Sequence, residues 1–146
     1  MIIERLFDTR EALVTALQEQ CETALREAVE DRGEATFMVS GGSTPEVLYK
    51  SMSHLDLPWE SIYVALVDER WVDADHARSN EAFVARSLVQ HNAAATNLIG
   101  MKNTASSAQE GLDDCEAAYQ QLAQPFDITI LGMGPDGHTA SWFPHA

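Results

Sequence analysis

Residues 126–144 read FDITILGMGPDGHTASWFP, and the fold is decided by how this stretch is read. Ile128, Ile130 and Leu131 form a short apolar run of the kind that builds a strand buried on both faces. Gly132-Met133-Gly134-Pro135-Asp136-Gly137 ends the run, and four of those six residues are Gly or Pro, so the backbone must turn tightly. Asp136 and His138 stand on that turn, with Thr139 and Ser141 just beyond. A buried strand emptying into a glycine turn that carries Asp and His is how a parallel α/β sheet presents chemistry at its carboxyl edge. Gly132, Gly134 and Gly137 also spell G-x-G-x-x-G. A dinucleotide site would add an acidic residue about 20 positions further on, which the nine residues after Gly137 cannot supply. Pro135 and Asp136 also suit a turn better than the opening of a phosphate-cradling helix.

Outward from this stretch the same arrangement recurs twice. Thr36 to Ser40 is a second apolar run, and it ends in Gly41-Gly42-Ser43-Thr44-Pro45. Thr44 is expected as the N-cap and Pro45 as the first residue of a following helix, which Val47, Leu48 and Met52 continue. A glycine loop between a strand and a helix N-terminus offers backbone N–H groups and two hydroxyls to a phosphate. It also reads as an ordinary capped turn, and it is not a P-loop, because the lysine is missing. Tyr63 to Val67 is a third run, ending in Asp68-Glu69-Arg70-Trp71, which is either a solvated loop or part of a site. In a parallel sheet the carboxyl ends share one edge, so Ser43/Thr44, Asp68/Glu69/Arg70 and Asp136/His138 are expected to converge.

Helical signals separate the strands. Ile2 to Phe7 is expected as a first short strand. Asp8 would then open a helix, with Glu11 as capping-box partner and Gly33 just past its end. Ser79 or Asn80 caps a helix that packs Phe83, Leu88 and Val89 inward, and Leu98-Ile99 reads as a brief strand. Ser107 and Glu110 form another capping box, ahead of a face made by Leu112, Cys115, Tyr119 and Leu122. His54 to Trp59 reads as a connector. The alternation specifies an α/β protein on a mainly parallel, Rossmann-like sheet flanked by helices, in one domain spanning residues 1–146.

A net charge of −14, with lysine only at Lys50 and Lys102, argues against nucleic acid and acidic membrane surfaces as partners. An anionic ligand would need local help from arginines or backbone N–H groups. The acidity fits either solubility or adaptation to salt. Cys21 and Cys115 fall on apolar helix positions and read as buried free thiols in a reducing compartment rather than a disulfide. No stretch approaches 18 apolar residues and the first residues lack a signal-like pattern, so a cytoplasmic protein is expected.

Three blocks now stand in order: SGGSTP at residues 40–45, VDERWV at 67–72 followed by Ser79-Asn80, and LGMGPDGHTASWFP at 131–144. With them the chain resembles the 6-phosphogluconolactonases, within the wider group of glucosamine-6-phosphate deaminases and ribose-5-phosphate isomerase-like folds. The resemblance covers essentially the whole chain. The deaminases carry a catalytic glutamate five residues after the histidine, where this chain has Phe143. That favours the lactonases, from whose usual GHTASLFP pattern Trp142 departs mildly. Members of the group continue well beyond the length seen here, so their later strands and cationic phosphate contacts are not to be read in these residues.

The resemblance implies hydrolysis of 6-phosphoglucono-δ-lactone to 6-phosphogluconate, with neither cofactor nor metal. Such chemistry needs a base for water, a stabiliser for the oxyanion and an anchor for the phosphate. His138 is expected as the base, since histidine takes up a proton near neutral pH, and Asp136 as its orienting partner. A purely structural turn histidine is the competing role. Gly41, Gly42, Ser43 and Thr44 would hold the phosphate, and Arg70 would meet substrate oxygens or the oxyanion. Asp68 and Glu69 would position neighbours, with Arg78 as a further anion contact. His54, His76, His91 and His145 lack ligand spacing and read as surface residues. The competing functions are a sugar-phosphate isomerase or deaminase on the same fold, and a non-catalytic sugar-phosphate binder. The run from Ile128 to Leu131 would leave an unpaired sheet edge open to self-association.

Overall fold

The computed structural model describes residues 2–144. Its elements run α1 (Arg10–Arg32), β1 (Ala35–Val39), α2 (Ser43–Met52), β2 (Ile62–Leu66), α3 (Asn80–Ser87), β3 (Asn97–Ile99), α4 (Leu112–Tyr119) and β4 (Ile128–Thr129), with short 3₁₀ turns at Trp59–Ser61 and His91–Ala95. The four strands form one parallel sheet in the order β3-β2-β1-β4. β1 pairs β2 from Ala35↔Ile62 to Val39↔Leu66, and β4 through Phe37↔Ile128 and Met38↔Thr129. The expected α/β architecture is therefore present. The strand order reverses between β1 and β4, which is where open parallel sheets bind ligands.

Side-chain alternation divides the core between the two faces of the sheet. Phe37, Val39, Ile62, Val64 and Leu66 pack with Cys21 and Leu25 of α1, Leu48, Tyr49 and Met52 of α2, and Val84 of α3. Met38 and Ala65 point to the other face, where Tyr119 and Leu122 form a smaller cluster. Each large side chain buried in the main cluster contributes roughly 1.5–3 kcal/mol, which makes that face the stabilising one. Cys21 is fully buried, and burial pushes its thiol up to about 12, so it is a packing residue rather than a nucleophile. Both cysteines are free thiols, but Cys115 is only half-buried rather than buried as expected, because α4 packs loosely on its face of the sheet.

Several local expectations are corrected. Residues 2–7 form no strand, and Ile2 and Leu6 are almost fully exposed, because no neighbouring strand pairs with them. α1 is capped by Thr9, whose hydroxyl accepts from the Ala12 N–H at 3.1 Å, rather than by Asp8. α2 begins at Ser43 after Gly42, two residues earlier than a Thr44 cap and a Pro45 start would require. Ser107 does accept from the Glu110 N–H, but in a turn ahead of α4, and Leu112 is 54% exposed. β4 is a two-residue edge strand with Ile128 half-buried and Leu131 56% exposed, not a strand buried on both faces. Among the described residues only β1 pairs with it. No helix follows His138 within them; Thr139 and Trp142 instead exchange backbone bonds of 3.1 and 2.9 Å across a tight turn. The described part of the chain has no helix long and apolar enough to cross a membrane.

Candidate active site

A cleft of about 290 Å³ opens at the carboxyl edge of the sheet, at the reversal between β1 and β4. Its wall takes Ser40 to Pro45 from the loop after β1, Asp68, Arg70 and Asn80 from the segment after β2, and Gly132 to Gly134, His138 and Ala140 from the loop after β4. The three polar loops thus converge as the strand pattern requires.

Two tyrosine hydroxyls, that of the buried Tyr49 and that of the half-buried Tyr119, hold the strand ends that carry these loops. Tyr49 of α2 donates to the Ser40 carbonyl at 2.9 Å. From the opposite face, Tyr119 of α4 accepts from the Leu66 N–H and donates to the Leu66 carbonyl, both at 3.0 Å. Burial raises the pKa of both phenols, so they act as neutral hydrogen-bonding pins. Neither role is readable in the sequence, where both tyrosines are simply apolar helix positions.

In the loop after β4, the Gly134 N–H donates to the His138 carbonyl at 2.8 Å and the Gly137 N–H to the Gly134 carbonyl at 2.9 Å. The imidazole folds back over Gly134, where a Cβ would stand 2.2 Å from His138 Cε1, so only glycine fits. His138 Nδ1 lies 2.5 Å from Asp136 Oδ1, and the same oxygen accepts from the His138 N–H at 3.2 Å. These bonds from His138 hold the Asp136 carboxyl below its usual range. The ring of Phe143 stacks on the imidazole, 5.0 Å between centroids. Asp136 itself does not line the cleft; it stands behind the histidine that does.

In the loop after β1, Ser43 and Thr44 lie exposed in the first turn of α2. The Ser40 hydroxyl is buried in the cleft wall with no hydrogen-bond partner among the described residues. In the segment after β2, Arg70 Nη1 donates to the Asn80 Oδ1 and to the Arg78 carbonyl, each at 2.9 Å. Arg78 meets Arg70 through its backbone carbonyl, and its side chain is exposed and not among the residues that line the cleft. Glu69 spans to α3 instead: its carboxylate accepts from the N–H groups of Arg70, Asn80 and Glu81 and from the Ser79 hydroxyl, at 2.7–3.0 Å. It caps the positive end of that helix from a distant loop. Asp68 Oδ2 accepts from the Ser141 hydroxyl at 2.7 Å, joining the loop after β2 to the loop after β4.

Asn80 and Ser141 are the residues whose tertiary role the sequence conceals. Both stand inside recognisable blocks, but nothing in their spacing shows that they reach other loops. No group of three His, Cys, Asp or Glu residues suited to a metal ion occurs among the described residues. His54 and His91 stack on each other at the surface, and His76 accepts from the Arg78 N–H; His145 lies outside the described residues.

Known proteins of similar sequence and fold place the chain in a family. A 6-phosphogluconolactonase of Mesorhizobium japonicum is 40% identical over 140 residues, covering 96% of this chain and 59% of its own. One from Pseudomonas aeruginosa is 41% identical over 122 residues, covering 84% of this chain and 51% of its own. The crystal structure of a 6-phosphogluconolactonase from Shewanella baltica superposes with a TM-score of 0.92 at 43% identity, covering 98% of this chain and 63% of that one. The chain thus spans about 60% of the length of the first of these relatives. The sequence pattern described as Glucosamine-6-phosphate isomerases/6-phosphogluconolactonase matches residues 8–146, which takes in all three cleft loops, and the chain belongs to that family.

Proposed function

We propose that the chain hydrolyses 6-phosphoglucono-δ-lactone to 6-phosphogluconate in the cleft at the carboxyl edge of the sheet. The observation that carries this reading is His138, backed by Asp136 and set in the same cleft as a glycine-serine-threonine helix start and a tethered arginine. With its proton on Nδ1 facing Asp136, the imidazole keeps the Nε2 lone pair for a water molecule. His138 takes a proton from that water as its oxygen attacks the lactone carbonyl. The electron pair moves to the carbonyl oxygen, and the ring oxygen leaves as the tetrahedral intermediate collapses, taking a proton back from the imidazolium.

Arg70 spends Nη1 on protein partners, which leaves Nη2 and Nε for a substrate oxygen or the oxyanion. The N–H groups of Gly41, Gly42, Ser43 and Thr44, together with the two hydroxyls, suit the phosphate at the start of α2. Asp68 holds Asn80 and Ser141 rather than the substrate. Phe143 occupies the position where a deaminase would need its glutamate, and the ring stacked on His138 supports the lactonase over that alternative. The reading requires no cofactor. The free thiols suit a cytoplasmic setting.

The test is a direct lactonase assay on the parent chain and on His138→Asn. The variant is expected to lose roughly 10²–10⁴ in kcat, the usual worth of a general base, while binding of 6-phosphogluconate by calorimetry changes little. A variant that keeps the parental kcat removes His138 from the chemistry. Turnover of glucosamine 6-phosphate in place of the lactone would transfer the site to the deaminase reaction.

A further inference from the structure

We propose that Asn80 is the positioning residue of this site, setting the Arg70 guanidinium against the glycine loop. The proposal rests on the lactonase reading for its kinetic consequence, but its geometry stands by itself. The Asn80 side chain is buried in the cleft wall. Its Nδ2 donates to the Asp68 carbonyl at 2.8 Å and to Asp68 Oδ1 at 3.2 Å, while its Oδ1 accepts from Arg70 Nη1 at 2.9 Å. One planar group must therefore donate to a carboxylate and accept from a guanidinium, and an amide is the side chain that offers both. The same amide lies under Gly41, where a Cβ would come within 2.1 Å of Oδ1. The loops after β1 and β2 meet on Asn80, and Asp68 carries the connection to the loop after β4 through Ser141.

Arg70 is otherwise an exposed side chain with many rotamers. Its two Nη1 bonds remove that freedom before a ligand arrives, so less ordering is left for binding or for the transition state. Asn80 is not needed to start α3, because Glu69 and Ser79 already satisfy the N–H groups there. Truncating the amide should thus free Arg70 without unfolding the helix.

A double-mutant cycle tests this. Asn80→Ala is expected to lower kcat/KM for the lactone, and affinity for 6-phosphogluconate, by about 10- to 100-fold, the worth of a hydrogen bond to a charged group. Asn80→Ala combined with Arg70→Ala should be no worse than Arg70→Ala alone, since both remove the same oriented guanidinium. Additive losses would overturn the proposal, because a merely structural role for Asn80 does not depend on Arg70. Asn80→Leu, which keeps the volume but offers Arg70 no acceptor, replaces Asn80→Ala if the latter does not fold, with the same non-additivity expected. In parallel, nitrogen-15 NMR of the ligand-free parent should show hindered rotation at the Arg70 guanidinium, lost in Asn80→Ala. Unchanged Arg70 signals would overturn the proposal. A parent that neither binds nor turns over the sugar phosphate, yet loses the hindered signals in Asn80→Ala, would sink the lactonase reading and leave the positioning role standing.

Discussion

At the scale of single residues, charge placed at α2 separates folding from binding. Thr44 lies exposed in the first turn of that helix, next to Ser43 on the cleft wall. Thr44→Glu adds a carboxylate where the helix end is positive, so the fold should gain about 0.3–1 kcal/mol at low salt. An anion bound at the same N–H groups would be repelled. We expect thermal stability to hold or rise while affinity for 6-phosphogluconate drops at least tenfold, and equal affinity in a folded variant would move the phosphate elsewhere. Glu81 makes a second residue-scale case. Burial, and then the nearby Glu69 carboxylate, push its carboxyl above the ordinary value. The native state therefore holds that proton more tightly than the unfolded chain does. Its contribution is full below the ordinary glutamate pKa and is lost as pH rises through the raised native value. Glu81→Gln should flatten the dependence and be the more stable form at neutral pH. Urea unfolding between about pH 4 and 8 checks it, and parallel curves for the two proteins would contradict it.

At the scale of elements, the question is what holds a two-residue strand in place. Asp127 does much of it from just outside β4. Its Oδ2 accepts from the Thr36 N–H at 2.7 Å, its Oδ1 pairs with Arg32 at the end of α1, and its own N–H donates to the Thr36 carbonyl at 3.1 Å. One side chain thus ties α1, β1 and β4 together ahead of the turn that carries His138. Asp127→Ala should cost about 1–3 kcal/mol of stability, because it leaves the Thr36 N–H without its partner. Amide exchange at Ile128 and Ile130 should quicken more than in α2. Uniform change across the sheet would show that β4 does not depend on this carboxylate. The sequence marked the strand and its turn clearly through the run of apolar residues and glycines. Asp127 carries no comparable signal in the sequence, since its partners lie far away in the chain.

At the scale of the molecule, the two sheet edges and two sheet faces are unequal. β4 offers an unpaired edge among the described residues, and Leu131, Met133, Trp142 and Phe143 are exposed beside it. An open edge flanked by apolar side chains favours pairing with another chain. We expect the chain to self-associate with rising concentration in sedimentation velocity, and a Lys at Leu131 (Leu131→Lys) to weaken that association while leaving helix content unchanged. A monomer across the micromolar range would rule it out. The parallel α/β fold, the three loops and the identities of His138, Arg70 and the glycine-serine-threonine start were set by local sequence, because apolar period, turn chemistry and helix caps are short-range properties. Several things lay beyond it. The edge position of β4, the failure of residues 2–7 to pair and the hydrogen bond from Arg70 to Asn80 were decided only by the tertiary structure. Each depends on which distant backbone or side chain fills the space alongside, and no period in a single chain encodes that.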